Sequence, residues 1–85
     1  MLTSFNDESL KRHIVSHEEC YQVPADPTKL QYDPGLSQAD NPRKMFVGYT
    51  MLDRRLEVGV EYGENWMHIY HADNAQKETI RKCAK

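Results

Sequence analysis

Much that would announce a function is missing from this chain. There are two cysteines in 85 residues. Neither Cys20 nor Cys83 belongs to a CxxC or Cys/His spacing, which leaves two reduced thiols and no zinc framework. No apolar run approaches the roughly 20 residues that a membrane helix needs. The opening MLTSFNDESLKR lacks the basic-then-apolar order of a secretory signal, so the expected location is cytoplasmic. Basic charge is not in excess either: 11 Lys and Arg against 13 Asp and Glu give a net charge of −2. That argues against a general nucleic-acid binder, because phosphate affinity rests on Lys and Arg. Repeats, low-complexity tracts, cofactor motifs and metal-ligand spacings are absent as well.

What is present describes one small globular domain spanning 1–85. A hydrophobic content of 39% and a charged content of 28% suit a rather polar protein with a single core. Asn6 or Asp7 can cap a first helix whose stripe is Leu10, His13 and Ile14. Ser16 and Glu19 form a capping box for a second helix, which Pro24 should end. TKLQY, with Leu30 and Tyr32 on one face, reads as an edge strand. DPGLSQADNPR, residues 33–43, is a turn-rich surface loop with almost nothing to bury.

From Lys44 the hydrophobic period becomes two. Met45, Val47, Tyr49 and Met51 share one face. Leu56, Val58, Val60 and Tyr62 point inward while Arg55, Glu57 and Glu61 face water. This predicts an antiparallel sheet covered on one side. Tight connections are expected at 52–54 and at 63–65, the latter with Gly63 and Asn65 available for positive φ. WMHIYHA is the next strand, with Met67, Ile69 and His71 on one face and Trp66, His68 and Tyr70 on the other. Asp73 or Asn74 then caps a last helix whose basic final turn suits the macrodipole. The expected class is α+β: two short N-terminal helices on the inner face of an antiparallel sheet of three to four strands, then a C-terminal helix.

Residues 12–27, RHIVSHEECYQVPADP, resemble the N-terminal signature of the BrnT family of bacterial type II toxins. The matching positions are Arg12, His13, Val15, Ser16, Glu18, Glu19, Val23, Asp26 and Pro27. Farther on, Arg43 leads a strand ending in Gly48-x-Thr50, and the next strand opens with Arg54, Arg55 and Leu56. His71, Ala72 and Ala75 match a strand end and helix start. The order and spacing of these motifs, from about Asp7 to Lys82, carry the resemblance. It implies a RelE-like, RNA-cleaving scaffold neutralised by a cognate antitoxin, without a metal or other cofactor. A homodimer within a toxin–antitoxin complex is compatible with it. Three positions depart from the family: Ile14 replaces a Gly, His71 replaces the more usual Ser, and Asp73 stands where a phosphate-holding Arg is expected.

Cleavage of this kind needs a base for the 2′-hydroxyl, a cation for the charged phosphorane and an acid for the leaving oxygen. His71 is the candidate base or acid; the competing reading is a histidine hydrogen-bonded inside the sheet–helix junction. His68, on the other strand face, reads as a surface residue. Arg43, Arg54 and Arg55 are phosphate candidates, and Arg43 with Arg12 or His13 is the favoured site. Solvated arginines paired with Glu57 and Glu61 are the alternative. His13 also suits a satisfied core position. Trp66 and Tyr70 could stack bases, meet a partner or lie under the last helix. Two further functional readings stay open: a non-catalytic relative kept as a protein-binding or regulatory module, and an orphan domain whose sheet edge serves dimerisation.

Overall fold

Residues 2–84 are described by the structure, a computed structural model. Their elements are β1 (Leu2–Phe5), α1 (Asp7–His13), α2 (His17–Ala25), β2 (Leu30–Tyr32), β3 (Arg43–Tyr49), β4 (Arg55–Tyr62), β5 (Trp66–Asn74) and α3 (Lys77–Cys83). The strands form one sheet in the order β1-β5-β4-β3-β2. β1 runs parallel to β5, and all other neighbours are antiparallel. The α+β class holds. The sheet, however, is mixed and has five strands. Residues 2–5 are too short and too weakly patterned to signal a strand, and only β5 gives them a partner.

Local chemistry sets the helix starts. The Asn6 side chain accepts from the Ser9 N–H, with Asp7 and Glu8 in the first turn of α1 and Lys11, Arg12 and His13 in its last. Charges of these signs oppose the macrodipole at both ends. α1 stops at Ile14, which adopts the left-handed region with φ +54°. Ser16 and Glu19 make the reciprocal capping box that opens α2. Pro24 does not end α2; it lies inside the last turn and the helix runs on to Ala25.

α1 and α2 pack on the face formed by Leu56, Val58, Val60, Ile69 and Ala72, closing the core with Leu10, Val15, Cys20 and Val23. Leu56 and Ile69 are fully buried there, and cutting either to Ala would cost about 2–5 kcal/mol. The opposite face is covered as well, contrary to a sheet wet on one side. α3 lies across its β2 side: Lys82 Nζ is 5.7 Å from the Tyr32 ring, and the Gln76 N–H donates to Glu57. That second layer is why Met45 and Val47 are buried despite pointing away from α1 and α2.

Two further expectations are corrected at strand ends. Asp73 and Asn74 belong to β5, paired with Glu57 and Leu56, so neither caps α3; Gln76 holds that position without a side-chain cap. In the turns, Asp53 takes positive φ, while Gly63 and Asn65 do not. Among the described residues no helix is long and apolar enough to cross a membrane.

Candidate functional site

β5 carries a one-residue irregularity that rearranges every residue after it. Gly59 pairs with His71, but the next residue, Val60, pairs with Ile69, so Tyr70 is left without a partner on β4. A bulge of this kind reverses the alternation beyond it. His68 pairs with Glu61 and His71 with Gly59, and both partners share the α3 side of β4. His68 and His71 therefore lie on the same face, where strict alternation had separated them. The Tyr70 ring folds over Gly59: a Cβ there would sit 2.7 Å from Tyr70 Cζ.

His71 reaches across to β4. Its Nε2 is 2.7 Å from Glu57 Oε2. Glu57 was expected to face water, yet it is 4% exposed. Its other oxygen accepts from the Gln76 N–H at 2.8 Å. Burial alone would raise the Glu57 carboxyl; hydrogen bonds from His71, Gln76 and Thr79 outweigh it and hold the carboxyl below its ordinary value. The Glu57 carboxylate is thus an acceptor for a proton on His71 Nε2, and Nδ1 is the ring nitrogen that this contact leaves unengaged. Next to His71 in sequence, the Tyr70 ring has Arg43 Cζ 5.6 Å from its centre. Arg43 also donates to the Gly35 and Pro34 carbonyls, which anchors it against the 33–42 loop. The Tyr70 hydroxyl is pushed up by burial, with Arg43 opposing the shift, so it stays protonated.

The other predicted residues are placed elsewhere. His13 is not with Arg43; its Nδ1 lies 3.0 Å from Asp73 Oδ1, tying the end of α1 to the end of β5. The aspartate at the position where the resembled family has a phosphate arginine thus meets a histidine. Arg12 is exposed on α1. Arg54 donates to Glu19 at 3.0 Å and to the carbonyls of Ile14 and His13. Glu19 is buried, so Arg54 is committed to it and is not a free phosphate ligand. Arg55 is exposed and stacks 5.5 Å from the Tyr49 ring at the hairpin end. Trp66 does not form a strip with Tyr70; it lines a cleft under α2.

Most other residues of the sequence signature prove architectural. Gly48 leaves room for α2, because a Cβ would stand 2.8 Å from the Val23 carbonyl oxygen. Asp26 accepts from the Tyr49 N–H at the end of β3 and from Thr28, and these bonds, Tyr49's first, hold its carboxyl below the ordinary range. Thr50 Oγ1 accepts from the N–H groups of Leu52 and Arg54 and shapes the β3–β4 hairpin. Ser16, Glu19 and Arg54 complete the same joint between α1, α2 and that hairpin.

Sequence reasoning missed Glu57 as a site residue. Within LEVGVEY it looks like an ordinary outward charge, and the groups that meet it come from distant segments, His71 on β5 and Gln76 and Thr79 at α3. Both thiols are free. Burial, reinforced by Glu19, pushes Cys20 up to about 11, and burial also raises Cys83, so neither is a ready nucleophile. No group of three or more His, Cys, Asp and Glu suited to a metal occurs among the described residues. The chain matches no family model and no curated protein.

Proposed function

We propose that this chain is the toxin component of a type II toxin–antitoxin pair, a BrnT-like, RelE-like ribonuclease that cleaves RNA at His71 and is neutralised by a cognate antitoxin in the cytoplasm. One observation carries the chemistry: a partly exposed imidazole whose Nε2 is held by a buried, ionised carboxylate 2.7 Å away. An orienting carboxylate of this kind leaves the opposite ring nitrogen as a directed base. In the reaction, His71 Nδ1 takes the 2′-hydroxyl proton and the 2′-oxygen attacks the adjacent phosphorus. Arg43, fixed over Tyr70, supplies the positive charge that meets the phosphorane. The 5′-oxygen leaves with a proton from water, giving a 2′,3′-cyclic phosphate. No metal is needed for these steps.

The test is induced expression without the antitoxin. Growth arrest with fragmented RNA is expected. His71→Ala should relieve it, since a positioned base contributes about 10²–10⁴ in rate, and Arg43→Ala should do so too. Normal growth with intact RNA, or an arrest undiminished in His71→Ala, sinks the ribonuclease reading.

A non-catalytic protein-binding module is favoured by a different observation. Ile14, Met51 and Leu52 are 81%, 84% and 77% exposed, and they border one groove between α1, α2 and the β3–β4 hairpin. Exposed apolar clusters of this kind serve partners. In this reading, a product encoded beside this gene co-purifies with wild type and with His71→Ala alike, and loses the chain when Met51 and Leu52 become Ser.

A further inference from the structure

Beneath α2, on the face away from His71, the core is not closed. A cleft of about 360 Å³ opens between α2 and strands β3 to β5. Its walls include Phe46, Val60 and Met67 from the sheet and Cys20 from the helix, with Trp66 at the β4–β5 turn. Phe46 and Met67 pack on the core yet keep part of their surface outside it. A volume in the range of small-molecule sites, apolar walls and few polar groups are the features of a ligand pocket.

The polar groups are one-sided. Lys44 is the single charged residue of the lining, and no carboxylate joins it there. Its ammonium is only loosely held, 3.6 Å from an Asp33 carboxylate that is itself 73% exposed, and such surface pairs contribute little. The Trp66 indole packs over Gly63, where a Cβ would collide with its nitrogen. Cys20, at the cleft floor, is a neutral thiol at physiological pH. The lining thus presents aromatic and aliphatic walls and one cation.

We propose that this cleft binds a small anionic amphiphile, its flat apolar body against Phe46, Trp66 and Met67 and its acidic head on Lys44 in place of Asp33. The site is independent of the His71 chemistry. Lys44, the one charged residue of the lining, selects an occupant with a single negative end, which takes the place of Asp33.

Trp66 is the chain's one tryptophan, so it reports on its own pocket. Two probes that share a ring system separate the apolar and ionic contributions: 1-anilinonaphthalene-8-sulfonate, which is anionic, and N-phenyl-1-naphthylamine, which is neutral. Titrated into the full chain, the sulfonate should bind one to one and quench Trp66 by energy transfer. Lys44→Met should weaken the sulfonate at least about tenfold and leave the neutral probe within about twofold. Val60→Phe, which fills the cleft, should abolish both; Lys44→Met alone decides the matter if that variant does not fold. Absence of saturable binding overturns the proposal, and so does equal affinity for both probes in wild type and Lys44→Met. So does a dimer seen by sedimentation that dissociates as either probe binds, because the cleft would then belong to a second copy of the chain.

Discussion

His71 Nε2 lies 2.7 Å from Oε2 of Glu57, a carboxylate that α3 has closed off from water. The pair spans β4 and β5: His71 directly follows Tyr70, where the register breaks, and Glu57 lies two residues before Gly59. Its energetic and chemical consequences are separable.

Glu57→Gln should destabilise the fold by about 2 kcal/mol at neutral pH, the scale of hydrogen bonds to a buried charged group. The carboxyl is held below its ordinary value near 4.5 in the folded protein. Its contribution is therefore fully present above that pH and is lost as pH falls through the lower, folded value. Urea midpoints of wild type and Glu57→Gln should converge as pH drops below about 4.5. A difference that stays constant, or grows, on acidification contradicts this assignment.

Arg54→Met leaves the buried Glu19 without its cation, though the Ser16 bonds to it remain. Breaking a pair of this kind costs about 3 kcal/mol, tempered because Arg54 itself is partly exposed. Loss of roughly 10–15 °C in Tm is expected for a domain of this size. Adding Glu19→Gln to Arg54→Met should recover part of it, since the two residues share one interaction. RNA cleavage per folded molecule should be unchanged.

Ile14 is a β-branched residue at φ +54° with an exposed side chain. Left-handed backbone costs such a residue about 1–2 kcal/mol, and glycine's greater freedom in the unfolded chain returns about 0.5–1 of that. The strain is the larger quantity, so Ile14→Gly should stabilise by about 0.5–1 kcal/mol. A lower denaturation midpoint in Ile14→Gly would count against a strained cap. Weaker partner capture accompanying the stability gain would mean that Ile14 is kept for the groove it borders.

Gly48→Ala and Gly59→Ala distinguish rigid from yielding neighbours. At Gly48 a Cβ meets the Val23 carbonyl, which is backbone and cannot step aside; at Gly59 its nearest neighbours are atoms of the Tyr70 side chain. Thermal melts should show Gly48→Ala losing about 2–3 kcal/mol, as overpacking against fixed atoms does, and Gly59→Ala losing less. Gly59→Ala should instead move Tyr70 and with it Arg43, so its effect belongs in RNA cleavage. Equal losses of stability in the two variants would place Tyr70 in the rigid frame.

The signals that were legible in the chain are those carried by neighbours in sequence. Asn6 before Asp7 and Glu8, and Ser16 with Glu19, marked the starts of α1 and α2, because a cap needs only residues within three positions. The alternation of Leu56, Val58 and Val60 marked β4 and its core face. Less was readable in β5. WMHIYHA reads as plain alternation, and the bulge at Tyr70 appears only when the β4 register is imposed on it. Asp73 has the chemistry of a helix cap, yet its pairing with Glu57 and its contact with His13 keep it in the strand.

The sequence by itself determined the α+β class, the caps of α1 and α2 and the inward run Leu56, Val58 and Val60 of β4, since propensity, capping and period are local properties of the chain. The tertiary structure decided which charges would be working groups. It buried Glu57 under α3, committed Arg54 to Glu19, brought Arg43 to Tyr70 and turned His68 and His71 to one face. Those outcomes depend on which atoms from distant segments exclude water around a given charge, and no local pattern in the sequence records that.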